Sequence, residues 1–245
     1  MVACGYSQVE GQDYTEVFAA TLKAANFRLF CCLIATRDWE TDQIDAVKAS
    51  TQSDVDAEIY VEMPEGFTVS GYVLKLRKAL EGIKQGAHLW FNKNRQALES
   101  VGFKASLSEP NLYVHSEHPI IIAVFVDDIL AGFAPEATDT YLHVKAEYGK
   151  LINVGAMDVC PVRKFTGVEV IRDRQARTIT LTQTGYIKEL ALRYKGQCIE
   201  SYSPTGPERA SQDKFRRLQV EAEGRHEQRI PTTTYLLEAF YGQLT

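Results

Sequence analysis

Three acidic residues carry the strongest chemical signal in this sequence. Two are adjacent, Asp127 and Asp128, inside the apolar run "AVFVDDILAGF" (Ala123–Phe133). The third, Asp45, lies in the loosely alternating segment "TDQIDAV". A buried carboxylate is costly unless it is paired or bound to a metal, so acids inside a sheet-forming run need a cation or water. Neighbours on a regular strand point to opposite faces, so Asp127 and Asp128 can serve one site only at the tip of a tight hairpin. "IIIAVFV" would enter that turn and "ILAGF" would leave it. Asp in a turn also serves local hydrogen bonding, and the pair alone does not decide between the two uses. A third carboxylate from another strand adds a specific possibility. Mg2+ takes hard oxygen ligands, usually one or two protein carboxylates plus water and phosphate oxygens. Two such ions about 3.5–4 Å apart can activate a 3′-hydroxyl and stabilise a leaving pyrophosphate in an in-line displacement.

The elements that must position these acids follow from hydrophobic periodicity. "DYTEVFAATLKAANFRLFCCLIATRD" (Asp13–Asp38) reads as a long helix capped by Asp13 or Thr15. "WETDQIDAV" (Trp39–Val47) reads as a short strand carrying Asp45, and a polar stretch then runs to a Pro-Glu-Gly turn before Phe67. "GYVLKLRKAL" holds a strand passing into a basic turn. "GAHLWFNKNRQALESVGF" is an amphipathic helix with Leu89, Leu98 and Val101 inward and Gly102 just past its end. Residues 111–134 read as three β segments with turns at "SEHP" and "VDD". A helix over Glu136–Leu151, a hairpin turning at "RDRQAR" and a helix over Thr184–Tyr194 follow. From Lys195 to about Pro231 the pattern dissolves into Pro, Ser, Gly and charge. Strands and helices interleave without regular βαβ alternation, which predicts an α+β fold with an antiparallel sheet packed on helices.

Composition sets the outer bounds. The chain has 245 residues, 45% hydrophobic and 24% charged, ordinary for a soluble globular protein. Its longest apolar runs fall far short of the ~20 residues that span a bilayer. Met1 is followed by neither a signal peptide nor a lipidation motif, so the expectation is an intracellular protein with no membrane partner, cytoplasmic or nuclear. Five cysteines (4, 31, 32, 160 and 198) form no C-x-x-C pair, which argues against a disulfide framework and a zinc site. His115 and His118 are close in "VHSEHP", a turn-like stretch. The formal charge is −5 but uneven. Residues 1–66 carry 4 Lys+Arg against 12 Asp+Glu, a net of −8, whereas Lys75–Arg95 carries six bases and one acid, a net of +5. Residues 163–195 carry eight bases and three acids, again +5. An acidic centre between basic surfaces suits metal ions and a polyanion; ordinary solvated faces account for the charges equally well. No Ser-His-Asp arrangement is evident.

Six blocks, in order, resemble the reverse transcriptase domain of copia-type LTR retrotransposons. They are "GYSQVEGQDYTEVFA", "DQIDAVKA", "EIYVEMPEGF", "LRKALEGIKQGAHLWF", "SEPNLYV" and "VFVDDIL". The resemblance implies a palm-and-fingers polymerase with its Asp-Asp at a β-hairpin turn. Asp45, Asp127 and Asp128 would hold Mg2+, with Mn2+ as a possible substitute. They would transfer a nucleotide from a dNTP to a primer 3′-end on an RNA or DNA template. Gln85 would line the nucleotide pocket, or else simply open the next helix as a surface residue. Phe125 stands where the family has Tyr. The hairpin "FTGVEV…ITLTQ" would grip the primer with close backbone approach at Gly167, or else just close the sheet. Trp90 reads as a core anchor rather than a base-stacking platform.

The domains expected from the resemblance are 1–195, fingers and palm with the N-terminal fingers segment cut short, and 196–245, a linker and the start of a thumb or connection region. On the same likeness, RNase H and integrase segments are expected to lie outside this chain. The chain departs from the family at Ser50, where a bulky aromatic would lie under the sugar of the incoming nucleotide and exclude a 2′-hydroxyl. "STQS" also replaces Phe-Leu-Asn-Gly, Cys4 a Lys, His88 an Arg, Glu81 a Tyr and Ala20 a Pro. Two readings therefore stand: an RNA-directed DNA polymerase domain, and a catalytically inactive relic that binds nucleic acid.

Overall fold

The apolar runs between residues 103 and 133 form four antiparallel strands, and a fifth joins them from much earlier in the chain. The computed structural model describes residues 2–194. In chain order the elements are α1 (Ala24–Arg37), β1 (Glu40–Asp45), α2 (Ala49–Gln52), β2 (Tyr60–Val61), β3 (Leu74–Lys75), α3 (Gly86–Ser100), β4 (Phe103–Ala105), β5 (Leu112–His115), β6 (Ile120–Phe125), β7 (Asp128–Phe133), α4 (Thr138–Leu151), β8 (Lys164–Phe165), β9 (Val168–Asp173), β10 (Thr178–Thr182) and α5 (Thr184–Tyr194). The chain divides into two compact units at Val162/Arg163. The linker expected over 196–245 lies outside the described residues. No helix among the described residues is long and apolar enough to cross a membrane.

In the first unit a five-stranded sheet runs β1-β7-β6-β5-β4, every pairing antiparallel. The sheet is covered on both faces. Tyr141 of α4 stacks on Phe133 with ring centroids 4.1 Å apart, and Lys145 of α4 reaches Asp42 of β1 at 2.6 Å. Phe30 and Ile34 of α1 close on the other face at Gly132, where a Cβ would stand 2.2 Å from Ile34 Cδ1. Glycine there lets the helix backbone approach the sheet. The free edge of β1 is not left open: Gln43 N–H donates to Cys160 O at 2.8 Å, and Ala46 bridges to Val154. Covering an edge in this way removes a template for aberrant strand pairing.

Helix α1 is shorter than its periodicity predicts. It begins at Ala24, not near Asp13, because the Asp13 carboxylate accepts the Val9 N–H at 2.7 Å and closes a local turn instead. The real cap is tertiary. Buried Glu109 accepts the Lys23 N–H at 3.3 Å and the Asn26 side-chain amide at 2.6 Å. A carboxylate at a helix N-terminus satisfies open donors and complements the dipole. Helix α3 matches its expected span, but its buried face is Trp90, Asn94, Ala97 and Leu98; Leu89 packs instead on a small cluster of Ile59, Ala79 and Ile83. His115 and His118 flank the β5–β6 turn, where His115 Nδ1 accepts the N–H groups of Glu117 and His118.

The second unit holds the three-stranded sheet β10-β9-β8 and helix α5. β8 turns into β9 through Thr166 (φ 48) and Gly167 (φ 81). Two consecutive left-handed residues are the signature of a tight hairpin turn.

Candidate active site

β6 and β7 are joined by two residues, Val126 and Asp127, with Phe125 opposite Asp128 in register. The run is therefore a hairpin, but its loop is Val126–Asp127, one residue earlier than the expected Asp127–Asp128 bend: Asp127 sits at the tip and Asp128 opens the second strand. Val126 has φ 57. That left-handed backbone at the first loop position favours glycine, and a β-branched residue there stores strain of about 1–3 kcal/mol. Two hydrogen bonds hold the strained tip. The buried Trp90 indole N–H donates to Val126 O at 2.7 Å, and the Ala46 N–H donates to Asp127 O at 3.2 Å.

β1 lies beside β7 with Asp45 directly opposite Asp128. Antiparallel partners share a face, so these two carboxylates stand side by side, a destabilising arrangement for like charges. The three acids thus meet at one end of the sheet, on the face that α1 covers only farther along, at Gly132. Asp45 and Asp127 are exposed and Asp128 is half-buried, so water and cations reach all three. The Asp128 carboxyl is held above the ordinary carboxylate range, first by burial and then by the charges of Asp127 and Asp45; a side-chain hydrogen bond from Gln43 opposes them. Gln43 is two residues before Asp45 and therefore on its face, a partner that the period of two could have identified from sequence.

This raised carboxyl has a pH consequence. A carboxyl whose folded pKa exceeds its unfolded value contributes stability that is complete below the unfolded value, about 3.9 for Asp, and lost as pH rises through the folded one. In cation-free buffer the thermal midpoint is expected to fall as pH climbs through that window, and Asp128→Asn is expected to flatten the dependence. Identical profiles for the variant and the parent would refute it.

The donor set is chemically right for a hard divalent cation: carboxylate oxygens, solvent-accessible and gathered from two strands and a turn. It is not a preformed cage. Among the described residues, no three His, Cys, Asp or Glu side chains stand close enough together to hold an ion as they are.

The other expected site residues are placed as follows. Phe125 ends β6 and shares the face of Asp128 and Asp45. Ser50 lies in α2, the single turn that follows Asp45, and is half-buried. Gln85 precedes α3 and is wholly buried. Its amide donates to Asp13 O at 2.7 Å and accepts from Gln8 Nε2 at 3.0 Å, so it is a bonded, buried group and not the surface residue that its place before a helix also allowed. Gly167 belongs to the second unit, and a Cβ there would meet nothing within 4 Å; its backbone angle, not crowding, calls for glycine.

Gln52 was not singled out by motif, yet it fastens the exit of β1. Its side-chain amide donates to Val47 O and Asn153 O, each at 2.8 Å, and its side-chain carbonyl accepts the Asn153 N–H at 2.8 Å. Lys93 Nζ donates to the Gln52 main-chain oxygen at 2.6 Å. The segment around Ser50 thus has a fixed backbone.

Comparison with known proteins adds independent weight. The profile of the family described as reverse transcriptase (RNA-dependent DNA polymerase) matches residues 1–205. The chain is 31% identical over 200 residues to the retrovirus-related Pol polyprotein from transposon TNT 1-94 of Nicotiana tabacum, which covers 79% of this chain and 15% of that protein. It is 36% identical over 199 residues to the Pol polyprotein from transposon RE1 of Arabidopsis thaliana, covering 79% of this chain and 13% of the relative. A putative transposon Ty5-1 protein of Saccharomyces cerevisiae matches at 34% identity over 153 residues, 60% of this chain and 48% of its own length. The chain therefore spans a small part of the polyproteins it matches.

Proposed function

The chain belongs to the reverse transcriptase (RNA-dependent DNA polymerase) family, and from that membership we propose that it is the polymerase domain of a copia-type retrotransposon polyprotein. The reaction is Mg2+-dependent transfer of a nucleotide from a dNTP to a primer 3′-hydroxyl on an RNA or DNA template. The observation that carries this reading is the register of β1 against β7, which sets Asp45 opposite Asp128 beside the Asp127 turn. In this reading the five-stranded sheet is the palm. Divalent ions, when bound, would neutralise the triphosphate and lower the pKa of the attacking hydroxyl. The chain's own part is placement: Asp45, Asp127 and Asp128 present oxygen ligands, the β6–β7 hairpin fixes their spacing, and Phe125 borders them on the same face. Phosphoryl transfer asks little more of a protein than position and charge.

Primer extension on poly(rA)/oligo(dT) with Mg2+ or Mn2+ tests the reading; divalent-dependent extension is the expected result. Binding of the primer–template without extension supports the second reading, a relic that retains the fold. That reading draws on Ser50 and Cys4, which depart from the blocks that carry the resemblance.

Ser50 also yields a specificity prediction. A serine leaves open the space that a ring would fill beneath the sugar, so discrimination against a 2′-hydroxyl is expected to weaken. Single-nucleotide incorporation with paired deoxy and ribo substrates measures it, and Ser50→Phe is expected to restore roughly tenfold or more in the ratio of kcat/KM values, the scale of one steric contact. Equal ratios for serine and phenylalanine would refute the assignment.

A further inference from the structure

We propose that Trp90 is a positioning residue for Asp127, acting through the backbone of the β6–β7 turn. The inference rests on the polymerase reading for its functional meaning and on local geometry for its substance. The two-residue loop begins with Val126 at φ 57, a conformation that glycine adopts freely and valine resists. A strained turn persists only where its surroundings over-determine it. Here the surroundings are two hydrogen bonds that peg consecutive carbonyls of the loop. Trp90 Nε1–H takes Val126 O at 2.7 Å from helix α3, and the Ala46 N–H takes Asp127 O at 3.2 Å from the residue after Asp45.

The two pegs differ in kind. The Ala46 bond continues the β1–β7 pairing and ties Asp127 to the strand that carries Asp45. The Trp90 bond comes from outside the sheet. Trp90 is 3% exposed, so its N–H has no competing water, while Val126 itself is 45% exposed. A buried donor aimed at a strained, solvent-facing turn fixes the peptide that immediately precedes Asp127. Helix α3 thereby sets the height and tilt of the carboxylate without touching it. An apolar anchor of the same size would fill the core equally well but leave that peptide free to flip.

The experiment uses the full 245-residue chain. Trp90→Phe keeps an aromatic ring and removes the donor. It is expected to lower kcat for single-nucleotide addition by about tenfold or more, the scale of a small misplacement of a reacting group. KM for the nucleotide is expected to stay within about threefold, because ground-state binding is not the interaction removed. In a Val126→Gly background the same change is expected to cost less than about threefold, because glycine holds a left-handed turn without a peg. Equal losses of kcat in the two backgrounds, or an unchanged kcat in Trp90→Phe, overturn the proposal while leaving the polymerase reading standing. Should the parent chain extend no primer, that reading fails on its own, and amide exchange still decides the inference. Selective acceleration at Ala46 and Asp128, whose N–H groups bond across the turn, supports it in Trp90→Phe; acceleration spread evenly along β6 and β7 reports general destabilisation and overturns it.

Discussion

Replacing Asp127 by asparagine is expected to reduce divalent-dependent primer extension by roughly a hundred- to a thousandfold while leaving the fold intact, the scale on which removing one electrostatic partner of a developing charge is felt. The substitution keeps the shape and removes one negative charge. Asp127 is exposed at the tip of the hairpin, so its side chain carries little of the packing. Its charge helps hold the Asp128 carboxyl above the usual range. Removing that charge relaxes the repulsion among three acids that the β1–β7 register brings together. The thermal midpoint in cation-free buffer is therefore expected to hold or rise even as activity disappears, and added Mg2+ is expected to stabilise the variant less than the parent. Loss of activity with a gain in stability marks a residue kept for function. A variant that still extends primers within tenfold of the parent would remove Asp127 from the mechanism.

Much of this site is readable from residue order alone, for a definable reason. Apolar runs around Asp127 and Asp128 demand a hairpin, and the strands at 112–115 and 120–125 follow the pattern. The loop, however, is Val126–Asp127, and Asp128 already belongs to the second strand, because a left-handed residue at Val126 closes the turn one position early. The six sequence blocks point to Asp45 as the third acid, and the strand register, which they do not encode, sets it across from Asp128. What sequence does not show is which distant groups fasten these pieces. Glu109 caps α1 from more than eighty residues away, so periodicity and local caps point to Asp13 while the helix starts at Ala24. Trp90 reads as core, and it is core; that its N–H also holds the Val126 carbonyl depends on a strained φ that no periodicity encodes. Gln85 follows the same logic. Its position before α3 is local, but its bonds to Gln8 and Asp13 join segments more than seventy residues apart.

The same lesson governs the second large effect, at a cluster that periodicity would have put among apolar residues. Asp42 of β1 is wholly buried, and its carboxylate accepts from Lys145 Nζ at 2.6 Å, from the Tyr141 hydroxyl and from the Cys160 N–H at 2.8 Å. Lys145 is 2% exposed and also donates to Asp158 O at 3.1 Å. Burial and the Asp42 charge push the Tyr141 phenol well up, so it stays a donor. The network ties α4, β1 and the 158–160 segment together on the face opposite Asp45 and Asp128. Lys145→Met is expected to destabilise the fold by about 3–5 kcal/mol, because it leaves a buried carboxylate without its counter-charge. The paired change Asp42→Leu with Lys145→Met removes both charges and is expected to recover most of that loss. Part of it remains, because the Cys160 N–H loses its acceptor and an unsatisfied buried donor costs about 1–3 kcal/mol. Urea midpoints of the parent, single and paired variants measure the three states. A single variant as stable as the parent would mean that the ion pair contributes nothing to the fold. A paired variant worse than the single one would mean that the polar network, more than its charge balance, seats β1 and with it Asp45.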